Sequence, residues 1–598
     1  MSRVRGPHTA ATFIGLSFCT AAVIAACGDR VGFDVPNEVF EPDASTEAAP
    51  PAECLRQCSL DGRSVLDTCT GEVLETCSAE LACGAGICQA PCDAAAADRS
   101  SNGCEFYLQP PFVRESRSCY AAYVVNTSTL PVEVALELEG EKLDLSKSMF
   151  RTMPGDATLV AHEGPIAPGD SVVLFVTDLP PNEPTTGKPI KCPAGVVAAT
   201  VGDKLPATTG MGSSFHLTTT APVSLAAIYP FGGAPSHIPS ATLLLPVATW
   251  GTQNIIVNAW PGDLSSGLPG AQIVASEDGT EVTILPNEKI QDGVGVAGAP
   301  PFTPVTYNLD KGQVLQLVQP KELSGSIVTS NKPTSVFGGN ECMNVPSSRS
   351  YCDTALQQLP SFEQWGSEYA AVGYRPRLGD EHEQMPYRIV AARDGTRLDY
   401  DPALPRGAPV TMSAGEVVTF YASVGSPFVV RTQDVDHPIY LAAYMSGSGE
   451  GSPSDPVGNM DYLGRGDPEF VNVIPAGQYL NAYSFYADPT YDDTSLVVVR
   501  AKSRGEFKNV WLECAGDLTE WRPVGTRGDY EYTRIDLARQ RGPGQRFGTS
   551  VCRNGLQQMK SDGPFTATLW GWAPYSSYAY PGGMAQRKLV ETPLPPIR

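Results

Sequence analysis

Three copies of one short spelling, almost evenly spaced, limit what this chain can fold into. Leu245-Pro246 with Trp250-Gly251 returns as Leu359-Pro360 with Trp365-Gly366, and more loosely as Ile474-Pro475 with Tyr479-Leu480. The copies start 114 and 115 residues apart. Evenly spaced self-similarity marks a repeated structural unit. A hairpin spelling recurs inside the period: IVASEDGT at 273–280 and IVAARDGT at 389–396. Asp-Gly between β-branched runs is a strong hairpin signal, because the favoured two-residue turn needs positive φ at both central positions. A third element, a Gly turn followed by a strand and hairpin, occurs at Gly169-Asp170 with 215–229, at Lys311-Gly312 with 327–337, and at Ala414-Gly415 with 428–444.

From about residue 109 onward the chain consists of short β-branched or aromatic runs broken by Gly, Pro, Asn and Asp, which reads as strands and turns. The 58 Gly and 53 Pro, with only 18% charged residues, suit turns better than helices. IVASEDGTEV (273–282) also aligns with IVTSNKPTSV (327–336), so each module of about 115 residues holds two related four-stranded units. Seven or eight such hairpins between Val124 and Trp570 predict an all-β, β-propeller-like array. The alternative is a tandem series of β-sandwich modules of about 115 residues each.

The first hundred residues read differently. Arg3 and Arg5 precede a short apolar stretch from Phe13 to Ala26, the pattern of an export signal. Ile24-Ala25-Ala26-Cys27 resembles a bacterial lipobox, which implies cleavage after residue 26 and lipidation of Cys27; two or three acyl chains anchor firmly where one does not. An ordinary signal peptide with a chance Cys is the alternative. Residues 27–53 then form an acidic tether without apolar periodicity. Residues 54–108 carry Cys54, Cys58, Cys69, Cys77, Cys83, Cys88, Cys92 and Cys104. An even count in an exported segment too poor in apolar residues for its own core predicts a disulfide mini-domain. Zinc is the rival, through the C-x3-C pairs Cys54/Cys58 and Cys88/Cys92. Residues 109–598 hold six more, and we expect Cys119 with Cys192, Cys342 with Cys352 and Cys514 with Cys552. The expected location is the cell envelope, lipid-anchored at the outer membrane or cell surface.

Chemistry is sparse. A net charge of −23 excludes nucleic acid as a partner. Six His, and no HExxH, G-x-S-x-G or Walker spelling, leave little for catalysis. Gly447-Ser448-Gly449-Glu450-Gly451, within the long Ser446–Asp467 connection, reads as a flexible loop, and Asp380-Glu381-His382-Glu383 as a solvated one. Arg465-Gly466-Asp467 matches an integrin-binding tripeptide by chance. Asp488, Asp492 and Asp493 offer oxygens to a weak calcium site, short of the six to eight that calcium takes; no other cofactor is expected. Trp570, Trp572, Tyr575, Tyr578 and Tyr580 crowd the C-terminal region and read first as closure packing of the last module, with a ligand-binding face as the alternative. Trp250 and Trp365 repeat with the module and read as core.

Residues 325–346 spell GSIVTSNKPTSVFGGNECMNVP, LP…WG follows, and residues 577–584 spell SYAYPGGM. Over about residues 115–590 this resembles the IgGFc-binding protein N-terminal domain family, and the Cys-rich segment resembles one found in bacterial members. The resemblance implies a secreted or surface-attached binding or adhesion domain, not an enzyme. The family is named for animal mucus proteins that bind the Fc part of IgG, a ligand a bacterial member need not share. The expected function is binding or adhesion to an extracellular protein or glycan by a membrane-anchored lipoprotein. The alternatives are an extracellular hydrolase with a loop-built carboxylate site and a self-associating envelope structural protein.

Overall fold

The computed structural model describes residues 55–597, apart from 113–116, 183–188, 237, 263–266, 452–453 and 459. The export signal, Cys27, the tether and Cys54 lie outside the described residues.

From residue 102 the chain forms four β modules of like topology. Module 1 opens with Asn102–Leu108 and closes with Ser240–Leu244. Module 2 runs from Gly251–Ile255 to Asp353–Gln358, module 3 from Glu368–Ala371 to Glu469–Asn472, and module 4 from Leu480–Ala487 to Ser576–Pro581. The penultimate strand of each is long and serves two sheets. It is Phe215–Tyr229, Ile327–Met343 and Gly555–Ala573 in modules 1, 2 and 4, and it is split into Phe428–Thr432 and Ile439–Met445 in module 3. In module 2 its first part, Ile327–Ser330, pairs with Thr280–Leu285, and its second, from Thr334, pairs with Pro269–Ala275. Pro333 sits at the change of partner. Pro222, Pro438 and Pro564 occupy the same place in the other modules. Proline has no N–H to give a ladder, so a sheet-to-sheet corner is where it costs least.

The four closing strands meet around one axis. Leu356 N donates to Ser240 Oγ (3.1 Å) and Gln358 N to Thr242 Oγ1 (3.0 Å). Asn472 Nδ2 donates to Gln358 O (2.9 Å) and Ser577 Oγ to Asp467 O (2.9 Å). These inner strands therefore run in one direction. Gln357 Nε2 reaches Ala241 O (2.7 Å), Phe470 O (3.1 Å) and Ala579 O (3.2 Å), so one side chain touches the inner strands of all three other modules. The nearly all-β architecture thus joins both expectations: modules of sandwich length, closed into a propeller-like ring.

The repeated LP…W spelling builds the far end of this ring. Each copy is a 3-10 turn, at Val247–Thr249, Phe362–Gln364 and Ala476–Gln478. Trp250 Nε1 donates to Leu245 O (3.0 Å) and Trp365 Nε1 to Pro360 O (3.2 Å), fixing each turn. Gln364 Nε2 donates to Thr249 O (2.7 Å) and Gln478 Nε2 to Gln364 O (3.0 Å), linking turn to turn. Arg587 N donates to Gln478 Oε1 (2.9 Å), and Ser101 N to Met584 O (2.8 Å). The C-terminal segment therefore closes the circle against the residues that open module 1.

Before module 1 lie a small sheet (Arg56–Cys58, Ser64–Asp67, Val73–Thr76), a hairpin (Ala82–Gly84, Ile87–Gln89) and the helix Pro91–Asp98. Cys58–Cys83, Cys77–Cys88 and Cys92–Cys104 are disulfides, the last tying the helix to the first strand of module 1. Cys69 is also disulfide-bonded. Those sulfurs are not available to zinc. Cys119–Cys192, Cys342–Cys352 and Cys514–Cys552 are bonded within the ring. No helix among the described residues is long and apolar enough to cross a membrane.

Candidate functional site

Because the inner strands run in one direction, the connections leading into them all emerge at one end. These are residues 230–239, 344–352, 446–468 and 574–575. They touch one another. Tyr351 and Tyr575 pack ring to ring at 4.9 Å, Tyr575 N donates to Gly464 O (2.7 Å), and Ser576 Oγ donates to Ala234 O (3.1 Å).

Two enclosed guanidinium groups organise this end. Arg349 Nε pairs with Asp455 Oδ2 at 3.0 Å, both side chains fully buried. Its other nitrogens donate to Gly447 O (3.0 Å), Gly449 O (2.6 Å), Gly458 O (2.6 Å) and Met460 O (3.1 Å). Arg377 Nε pairs with Glu383 Oε1 (2.7 Å) and its Nη1 donates to Ser446 O (2.9 Å) and Arg465 O (3.1 Å). Tyr462 lies against both, its ring centre 3.6 Å from Arg377 and 5.2 Å from Arg349, close enough for cation–π attraction. The Gly-rich stretch from Gly447 is therefore held by carbonyls converging on Arg349, and is not the free loop its composition predicts. Likewise Glu383 is buried and ion-paired, while Asp380, Glu381 and His382 are exposed. Asp467 is 2% exposed and accepts from Ser448 N (3.1 Å), so Arg465-Gly466-Asp467 is not displayed.

Beside Met460 at 46% exposure, three large apolar side chains stand out from this end: Leu463 at 70%, Tyr351 at 51% and Tyr575 at 37%. All three have left-handed backbones, with φ of 56°, 70° and 56°. Bulky residues rarely adopt that region, and such strain collects at functional sites.

Beside Tyr575, between modules 1 and 4, opens a cavity of about 760 Å³. Its walls include Gly232 to Ser236, Pro489 to Asp492, Arg541 to Pro543, Arg553, Asn554 and Pro574. Asp492 Oδ1 accepts from Arg541 Nε at 2.9 Å. Tyr491 is enclosed behind the wall, and burial together with the Asp488 carboxylate pushes its hydroxyl well above the usual range, so it remains a donor.

Of the five aromatic candidates only Tyr575 reaches the surface. Trp570 and Trp572 pack inside, against Tyr374 and under the Arg375 guanidinium, and Tyr578 and Tyr580 are fully buried. The cause is pairing: Gly555–Ala573 is flanked on both sides by strands, one of them Ser576–Pro581. The three calcium candidates face separate partners. Asp488 is buried and accepts from Tyr123 Oη (2.6 Å) and Thr490 Oγ1 (2.6 Å), Asp492 lines the cavity, and Asp493 pairs with Arg375 (2.7 Å). Among the described residues no group of three or more His, Cys, Asp or Glu is arranged to hold a metal.

The axis itself carries acids that sequence reasoning did not bring together. Asp353, Asp467 and Glu469 are buried at the start of the inner strands. The Ser577 backbone N–H faces the Asp353 carboxyl, and Glu469 Oε1 accepts from Phe470 N (2.9 Å). Burial holds all three carboxyls well above the usual range, and the charges of Asp467 and Glu469 raise Asp353 further. The available signal was positional: acids just after the loops that precede inner strands.

The described residues thus form a closed β ring whose long connections are braced at one end. Residues 240–571, more than half of the chain, match the family model described as IgGFc binding protein, and the chain belongs to that family. A human IgGFc-binding protein is 26% identical over 302 residues, which is 50% of this chain and 5% of the human protein's length. No solved structure matches the chain.

Proposed function

We propose that this chain is a lipid-anchored protein of the cell envelope that uses the loop-bearing end of its ring to bind an extracellular protein or glycan. Cys27 carries the anchor after removal of residues 1–26. Residues 27–53 act as the tether, residues 54–101 as a disulfide spacer, and the ring that opens with the strand Asn102–Leu108 as the binding domain at the outer membrane or cell surface. One observation carries the reading. Tyr351, Leu463 and Tyr575, all exposed and all on left-handed backbones, stand together over a base braced by Arg349 and Arg377. Rigid aromatic anchors on a pre-organised base lower the entropy cost of binding. The family supports a binding role over an enzymatic one, and it makes the Fc part of IgG a ligand to be tested.

The test is a binding screen of the oxidised chain on immobilised IgG Fc, mucin, a glycan array and the producer's envelope polysaccharide, with and without calcium. Saturable binding abolished by reduction is the expected result. Silence on every surface, together with concentration-dependent assembly in light scattering, would replace this reading with the structural one.

A further inference from the structure

We propose that the cavity between modules 1 and 4 is a subsite for an acidic sugar, a saccharide carrying a carboxylate. The inference rests on the binding role above and names a ligand class for one part of that surface.

The cavity's volume, about 760 Å³, lies in the range of small-ligand sites, about 300–1,000 Å³. Its charge is opposite to that of the whole chain. The protein carries 65 acids against 42 Lys and Arg, yet the cavity is lined by two guanidinium groups, Arg541 and Arg553, and one carboxylate, Asp492. Asp492 engages only Nε of Arg541, whose side chain is 75% exposed, so its terminal nitrogens remain open to a ligand. Arg553 is exposed and makes no ion pair or side-chain hydrogen bond among the described residues; its stem lies over Gly155. Two planar forks with unspent donors at one cavity suit a carboxylate.

The remaining walls favour a sugar over a peptide. Four of the lining residues are prolines, at 235, 489, 543 and 574, and none can donate a backbone N–H. An extended peptide that binds by adding a strand needs such donors. The Tyr575 ring at the rim gives a flat apolar surface for the C–H face of a pyranose.

The experiment is calorimetric titration of the whole oxidised chain with glucuronic acid and N-acetylneuraminic acid, with glucose and N-acetylglucosamine as neutral controls and a short acidic peptide as competitor class. At least one acidic sugar is expected to saturate, at least tenfold tighter than the neutral sugars and weaker as salt is raised. Arg553→Met, which keeps the stem over Gly155, is expected to weaken it tenfold or more without changing Tm, and Arg541→Met to do the same. Equal affinity for neutral sugars, no response to either substitution, or binding of the peptide alone would each overturn the proposal. If a macromolecule found in the surface screen binds normally to the Arg553→Met protein and is not displaced by acidic sugar, the subsite is refuted while the binding role stands. If acidic sugar binds and no macromolecule does, the reverse holds.

Discussion

Arg377 is enclosed, with Glu383 at 2.7 Å, the Ser446 carbonyl at 2.9 Å and the Tyr462 ring centre at 3.6 Å. Removing one partner of a buried ion pair strands the other, at a cost of about 3–5 kcal/mol. Arg377→Met is therefore expected to destabilise by that amount in urea unfolding, and adding Glu383→Gln to recover part of it. The axial acids make the opposite kind of prediction. Asp353, Asp467 and Glu469 keep their protons in the folded protein to a higher pH than in the unfolded chain, where such groups ionise near pH 4. Above about pH 4 the folded state then binds more protons, so stability falls as pH rises toward the raised folded values. Asp353→Asn removes one of these groups. It is expected to be more stable than the parent at pH 8, by about 1–3 kcal/mol, with the gap closing as the pH falls to about 4. A gap independent of pH in thermal melts would contradict this.

At the scale of elements, the long strand shows what holds each module and what could be read beforehand. A Cβ on Gly338 would lie 1.7 Å from the Val257 carbonyl oxygen, and one on Gly339 would lie 2.0 Å from that of Ala355. Gly338→Ala must push backbone aside, and we expect a loss of more than about 3 kcal/mol by denaturant unfolding, beyond the usual overpacking cost. At Gly279, in the turn that carries the chain from Pro269–Ala275 to Thr280–Leu285, with φ of 63° and open space around it, Ala is expected to cost only about 1 kcal/mol. The turn was legible, because Asp278-Gly279 and Asp394-Gly395 need their glycines for local backbone reasons that any sequence window contains, but the hairpin it announced did not form: the strands on either side pair with other partners instead of each other. The strands were legible for the same reason, and the parity of cysteines announced disulfides. The corner prolines, Pro222, Pro333, Pro438 and Pro564, were visible as letters but had no meaning until the change of partner strand was known. Trp570 and Trp572 read as closure packing, and a ligand-binding face stayed open beside that reading because composition does not say whether a strand is paired on both sides. The axial acids were illegible because residues 353, 467 and 469 meet through the packing of separate modules, which no local pattern encodes. The role of Arg349 was hidden likewise, since its acceptors are carbonyls about a hundred residues away.

The four modules form a circle closed by the C-terminal segment, through Met584 on Ser101, Gln586 on Arg99 and Arg587 on Gln478. Truncation after Pro581 removes those links and uncovers the turn Ala476–Gln478 between modules 3 and 4. Calorimetry of the shortened chain is expected to show a lower, broadened transition, and an unchanged one would mean that closure contributes little. At the opposite end the account holds that Tyr351, Leu463 and Tyr575 keep strained backbones for the sake of contact with a ligand. Each such conformation costs on the order of 1 kcal/mol that glycine does not incur. The most direct test is the triple variant Tyr351→Gly, Leu463→Gly and Tyr575→Gly, with its affinity for the surface that captures the parent and its Tm measured side by side. The account predicts at least tenfold weaker binding at an equal or higher Tm. Parental affinity, or a Tm well below the parent's, would show that these residues serve the fold and that binding lies elsewhere.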